Sequence, residues 1–584
     1  MAGTESMTRT PPDPRALNTR SAGLRLFGLV WLLAFLVPGV APAQLAVRPS
    51  EEALSITLPD EKEPASQPTL NPSSESTSAL PGELQVRVDA IDVFGCSVFD
   101  ADDLEPLFAP FLGRTLTTGE LVQIAGLVER LYHDSGYASS YVLLPDQDFF
   151  ANVLALRVVE GRIGEITIEG NEAFRADFFA RRLRAAGGAP LDVEGLADQL
   201  AEFQRNPRIE QIHAVLVPGD RPDETNLEVS VVEGNAFDLT LTLSNDQPSS
   251  LGTPGGGFDA SYGNLTGWGE AVSGAYRVSE GLEQWRISLE APLGAGGGFG
   301  RLSYQRSESE IVESAFRSLE IEGRSETAEI ELGIRFLRTR RLDVSSSLIG
   351  SWTRWRSTLA GRPTCFRSDQ LDCRPSIAAL RARQEVQVRR PDAVWLIRST
   401  LSFGLDGLGA TRETDSGLAD GEFVSWLGQA RHIRRFRKDR GAPLWADDWT
   451  LRSRLDLQLT NDPLLSAEQM SIGGPLSVRG VSRNLLVRDN GVIASTELRI
   501  PLAKGQRPSR RIELFPFVDF AHAWNERLDL AVETVSSAGL GLSVDIPDVL
   551  SVELTWAEPI RRGVAGGRGL QGEGIYLEVR ADVF

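Results

Sequence analysis

From Phe237 onward, apolar and polar residues alternate one by one through segment after segment, so each strand must turn one face to something apolar and the other to something wet. In Trp449 to Leu459 the odd positions carry Trp449, Leu451, Leu455, Leu457 and Leu459, and the even ones Thr450, Arg452, Arg454, Asp456 and Gln458. The same period of two recurs in Phe237 to Ser244, Trp285 to Leu293, Gly539 to Ile546, Ser551 to Trp556 and Ile575 to Val583. A soluble sandwich would alternate too, but the polar set here is rich in Arg, Asp and Glu, which a dry core does not accept without partners. A wide aqueous lumen does accept them. Closing the strands into a ring satisfies every backbone group in lipid, so the pattern predicts a transmembrane antiparallel β-barrel over residues 235–584. At roughly 20 to 22 residues per strand with its connection, that length suits about sixteen strands.

The N-terminus agrees on compartment. Arg15, Arg20 and Arg25 precede an apolar stretch, Leu26 to Val37, and a small-residue site, Ala41-Pro42-Ala43. Residues 1–43 therefore read as a secretory signal peptide, the alternative being a retained helix that Pro38 and Gly39 cut short. The net charge is -20, and lysine occurs only at Lys62, Lys438 and Lys504, with no basic block, which argues against nucleic acid as a partner. Of three cysteines, Cys365 and Cys373 lie in a polar stretch placed in a barrel loop; in an oxidising envelope they could close a small disulfide loop or stay as two thiols. Cys96 reads as a small buried residue in a turn.

Ahead of the barrel, residues 44–83 carry Pro59, Pro64, Pro68, Pro72 and Pro81 among Ser, Thr and Glu and read as a disordered linker. Residues 84–160 and 161–234 then repeat one pattern: a strand, two helical stretches and a pair of strands. In the first copy these are Gln85 to Phe94, Asp102 to Leu112, Thr118 to Ser135, Ser139 to Leu144 and Val153 to Val159. In the second they are Glu165 to Glu169, Ala173 to Ala186, Val193 to Arg205, Ile209 to Val217 and Asn226 to Val232. Leu121, Ile124, Ala125, Val128 and Leu131 show the clearest helical spacing. Two α/β modules are expected.

Three separated stretches resemble one family. Gly136 to Asp148 followed by Leu156 to Ile163 is similar to the end of the first periplasmic module, called a POTRA domain, in the outer-membrane transporters of two-partner secretion. Gly473-Gly474-Pro475-Leu476-Ser477-Val478-Arg479-Gly480 resembles the loop signature of the superfamily that also holds the barrel-assembly insertases, and Phe515-Pro516-Phe517-Val518-Asp519 resembles its partner strand. Alternation through Arg511 to Ala523 puts Arg511, Glu513 and Asp519 on one face, toward the lumen. The resemblance implies that Arg479, at the tip of a loop folded into the lumen, meets Asp519 on the wall, with Phe517 beside it and Val478, Gly473, Gly474 and Gly480 shaping the loop. On the residues alone, Arg479 is an ordinary loop arginine and Asp519 one lumen charge among many. The sequence departs from the family at Val481, where an aromatic is usual, and at Ala521, where glycine is usual. It also lacks a clear counterpart of the plug helix between Gln44 and Ala79, and its Phe584 stands out of register with the terminal strand.

Four scattered histidines and no His/Cys/Asp cluster speak against a metal site, and the glycine run Gly294 to Gly300 reads as a hairpin turn without the Lys and Ser/Thr of a nucleotide loop. No cofactor and no enzymatic activity are expected. The resemblance implies transport: POTRA sheet edges, with Ser139, Tyr141 and Leu143 as candidate contacts, take an unfolded partner exoprotein, a large β-helical client, as an added strand, and the barrel passes it outward. Outer-membrane lipid and the barrel-assembly machinery are the other partners implied. An assembly factor shares the loop motif but usually carries more modules, and a passive porin has no need of any.

Overall fold

The structure, a computed structural model, describes residues 69–70, 85–149, 151–364, 374–412, 419–436, 448–504, 510–526, 533–561 and 570–583. The signal-peptide reading, the plug question, Cys365, Cys373 and Phe584 lie outside the described residues.

The first module is built on two capped helices. Asp100 and Asp103 form a reciprocal box at the start of Ala101–Phe108, and Thr117 and Glu120 do the same for Thr118–Asp134, satisfying amides that a helix start otherwise leaves open. The second helix buries Leu121, Ile124, Ala125, Val128 and Tyr132, its stripe at helical spacing, against a sheet ordered Ala90–Phe94, Val153–Val159, Tyr141–Leu143. The expected single strand Gln85 to Phe94 is two: Gln85–Val88 pairs with Arg114–Thr117 in its own ladder, and Ala90–Phe94 joins the main sheet. Asp89 is the crossing point, its amide donating to Asn152 O at 2.7 Å.

The buried Tyr132 hydroxyl donates to Glu160 Oε1 at 2.7 Å and to Cys96 Sγ at 3.1 Å, and Glu160 also receives the Ser97 amide and hydroxyl at 2.6 and 2.7 Å. Burial works to raise the Glu160 pKa, but the bonds from Ser97 and Tyr132 outweigh it and hold the carboxyl below the usual range. A lowered carboxylate pKa contributes stability above the unfolded value and loses it as pH falls through the folded one. Tyr132→Phe is expected to weaken the module by about 1–3 kcal/mol at neutral pH, read as faster hydrogen exchange over Thr118–Asp134, with the gap to the parent narrowing in acid. An unchanged gap down to low pH would show that Glu160 is not the partner that matters.

The second module comprises Arg162–Glu169, helices Ala176–Gly187 and Val193–Gln204, and the hairpin Ile209–Pro218 and Glu224–Glu233. Phe174, Phe178, Phe179 and Phe203 make its centre, with ring centroids 4.8 to 5.8 Å apart. Within the stretch expected to be linker, Thr69–Leu70 pairs in parallel with Val215 and Leu216 at this sheet's edge.

Sixteen antiparallel strands then run from Phe237–Ser244 to Ile575–Asp582, each bonded to its sequence neighbour, and the first closes on the last from Thr240 with Asp582 to Ser244 with Glu578. Alternation divides each strand. Ile287, Leu302, Ile330 and Leu332 are half or more exposed on the outer face, while Gln305, Thr327, Glu331 and Ser351 are buried inside. An outward row of large apolar side chains suits hydrocarbon, and an inward row of paired charges suits water. No described helix is long and apolar enough to cross a membrane.

The second module sits on the periplasmic rim of the barrel. Trp268, in the turn between Gly255–Gly263 and Ala271–Ser279, packs against the module's core, and Arg175 donates to the turn at Gly267 O and Thr266 O. Helix Val193–Gln204 meets another turn, where Glu202 pairs with Arg338 and Asp198 with Arg340.

Candidate functional site

Between strands Trp449–Thr460 and Asn490–Lys504 the chain does not stay outside; it folds back into the lumen. A short ladder, Met470–Ile472 with Leu486–Arg488, stiffens the loop and presents residues 473–485 as its tip. The turn at Gly473 and Gly474 has φ of +118° and +86°, and a Cβ at Gly473 would stand 2.0 Å from Ser482 O. The Gly473 amide donates to Ser477 Oγ at 2.7 Å, and that of Gly474 to Val481 O at 3.0 Å. Val478 turns away from water into a buried cluster with Ile472, Val481, Ile493, Ala521, Ala523 and Val535. Val481 and Ala521, the two departures from the family pattern, thus share one packing unit, where a smaller loop side chain and an added wall methyl change volume in opposite directions.

Burial of Val478 aims the next residue at the wall. Arg479 donates through Nη2 to Asp519 Oδ1 at 2.8 Å, and through Nε and its own backbone amide to Oδ2 at 2.8 and 3.0 Å. The fork is bidentate, and the carboxylate is wholly buried. Ser495 Oγ donates to Asp519 Oδ1 at 2.6 Å, Arg479 Nη1 reaches Glu497 at 3.2 Å, and the guanidinium lies 3.5 Å from the Phe517 ring centre. Gly480, at φ +82°, donates its amide to Tyr576 Oη in the last strand at 3.1 Å; a Cβ there would meet Ala557 O at 2.8 Å. Arg483 donates to Asp246 O, just beyond the first strand, at 3.0 Å.

Charge continues beyond the tip. Arg499 bonds Glu497 and Glu553, each at 2.9 Å, over the face of Phe515. A cavity of about 920 Å³ opens there, lined among others by Arg452, Arg479, Arg511, Glu513 and Asp545. Both signs alternate on its wall, an arrangement that hydrates and releases a polar chain and offers no deep apolar seat to retain one. Among the described residues no group of three or more His, Cys, Asp or Glu is placed to hold a metal ion.

In the first module, Tyr141 and Leu143 lie on the edge strand of the three-stranded sheet, Leu143 being 45% exposed, while the Tyr141 hydroxyl donates to Pro222 O of the second module at 3.4 Å. Ser139 precedes that strand and packs on Gly161, where a Cβ would come within 2.2 Å of its Oγ. Cys96 is half-buried at the edge of the module core. Trp268 and the rim ion pairs were not foreseen, although a tryptophan flanked by Gly267 and Gly269 in a tight turn was a signal of something inserted.

Comparison with known proteins adds a family to this geometry. The family model "Haemolysin secretion/activation protein ShlB/FhaC/HecB" matches residues 223–544, and the ShlB-type POTRA domain matches residues 86–161. The outer membrane transporter CdiB of Escherichia coli is 23% identical over 448 residues, 74% of this chain and 71% of the relative. The solved structure of CdiB from Escherichia coli superposes with a TM-score of 0.70 at 19% identity, covering 88% of this chain and 93% of that one. BamA from Haemophilus ducreyi lacking POTRA domains 1-3 superposes at 0.51 with 15% identity, covering 85% of this chain and 99% of that one, a likeness of fold.

Proposed function

The chain belongs to the haemolysin secretion/activation family ShlB/FhaC/HecB and is an outer-membrane transporter of the two-partner secretion type; from that premise we propose how it handles its cargo. An unfolded partner exoprotein adds as a strand to the open edge Tyr141–Leu143 of the first module, where main-chain bonds hold any sequence and neighbouring pockets select among them. It then passes outward along the mixed-charge inner wall. The observation that carries this reading is the loop of residues 461–489, which spans the lumen and is tied at its tip to the wall by Arg479 and Asp519. A conduit that passes an unfolded chain needs an internal element that resists leakage and yields to cargo. The client is proposed to be a large β-helical secreted protein, whose folding outside biases movement outward. Outer-membrane lipid surrounds the barrel, and the barrel-assembly machinery inserts it.

Deletion of residues 84–160 tests this. One large protein is expected to disappear from the medium while other outer-membrane barrels keep their levels. Unchanged release with a general depletion of barrels would instead make the chain an assembly factor.

A further inference from the structure

The lumen loop is held at a second place, outside the stretch of residues 473–480 at its tip. Its ascending arm brings Glu468 to Arg381 on the inner face of strand Ser376–Arg389. Arg381 Nη2 donates to Glu468 Oε1 at 2.7 Å and Nη1 to Oε2 at 3.0 Å, a bidentate fork, while Nη1 also reaches Ser402 Oγ at 2.9 Å. Both residues are buried, at 6% and 3% exposure, on the inner side of the barrel. The dryness has a source. Ile377 and Ala379, which share the inward face with Arg381, are covered by Leu464, Leu465 and Ala467 of the arm and by Phe423 of the preceding loop. The backbone of the arm is fixed as well, since Gln458 Nε2 donates to Glu468 O at 2.9 Å and Leu464 bridges to Asp420.

The direction of this contact matters. The loop is rooted between the eleventh and twelfth strands of the barrel. From there Arg479 and Gly480 reach forward to the thirteenth and sixteenth strands, whereas Glu468 reaches back to the eighth. The loop is thus pulled to both sides and stretched across the channel. A buried ion pair is weak as a source of net stability but strong as a lock, because parting it strips two desolvated charges of their bidentate bonds to each other. We propose that Arg381 and Glu468 are positioning residues that lock the arm of the lumen loop, independently of the lock at its tip, so that the channel stays closed until both yield.

This inference rests on the reading of the barrel as a conduit. The test is the conductance of the purified full-length protein in planar bilayers in KCl, with Asp519→Ala as comparator for the tip. Arg381→Glu and Glu468→Arg are each expected to raise the fraction of time in a high-conductance state several-fold in a barrel that remains heat-modifiable, and the double exchange R381E/E468R to return it toward the parent. A purely structural defect would not be rescued by exchanging the charges. If the reversals do not yield folded barrels, Glu468→Gln, which keeps size and removes charge, is expected to give a smaller rise in the same direction. Parental traces from Glu468→Gln and Arg381→Glu beside an open Asp519→Ala would overturn this lock alone, as would a double exchange as leaky as the single changes. Silence of the parent and of every variant, the comparator included, would overturn the conduit reading with it.

Discussion

Asp519→Ala is expected to leave a heat-modifiable barrel in the outer membrane at near-parental level and to reduce release of the partner exoprotein severely. The barrel itself does not depend on this carboxylate: its strand Arg511–Trp524 is laddered to both neighbours along almost its whole length by backbone bonds. The loop does depend on it. Three donors of Arg479 converge on a residue with no exposed surface, and the alanine variant leaves the guanidinium with Glu497, Ser495 and the Phe517 ring. Breaking a buried pair from one side costs about 3–5 kcal/mol, more than the ring contact at about 0.5–2 kcal/mol offsets, and the bonds to Glu497 and Ser495 hold only the side chain, while the Arg479 backbone amide at the tip loses its acceptor. Asp519→Asn, which keeps one acceptor oxygen in place, is expected to fall between the two. Secretion at parental level by Asp519→Ala, with equal amounts of folded barrel, would remove Arg479 and Asp519 from the mechanism.

How far the chain could be read before folding depended on the range of the interaction. Alternation is a local property, so Phe237–Ser244 and Val153–Val159 stand in the structure at the bounds their patterns give, and the capped stripe of Thr118–Asp134 differs by one residue at its end. The break at Asp89 was missed although a signal existed: Val86 and Val88 occupy even positions and Ile91 and Val93 odd ones, a change of phase that a single strand cannot make without a bulge. The tip of the loop was legible through a motif, since Gly473, Val478 and Gly480 shape the turn around Arg479 within eight residues. Arg381 and Glu468 lie 87 residues apart, in segments where charged residues are common, and no pattern marks them until the arm is folded. The same holds for Glu202 with Arg338 at the rim.

Trp268→Ala is expected to free the second module from the barrel rim. Several contacts join the two, and they differ in strength. The pair of Arg340 with Asp198 lies at a partly open surface, where an ion pair contributes about 0–1 kcal/mol, while that of Arg338 with Glu202 is more enclosed. Trp268 is different, because its ring packs against the core of the module and receives Arg175 and Arg181 at 5.6 and 5.1 Å from its centre. The turn is shaped to deliver it. Glu270 accepts the amides of Thr266 and Trp268 at 2.9 and 3.1 Å, and Gly267, at φ +91°, leaves no room for a Cβ, which would meet Arg175 Cγ at 2.7 Å. Truncating a packed tryptophan costs about 3–5 kcal/mol in a full core, and the half-buried setting here points to the lower end. Hydrogen exchange over helix Ala176–Gly187 is therefore expected to quicken markedly in Trp268→Ala and hardly at all in Arg340→Ala, with heat-modifiability unchanged in both. Equal exchange in the two variants would return the docking to the ion pairs. The same substitution is expected to lower secretion without opening the loop, which would separate the docking of the module from the hold on the loop.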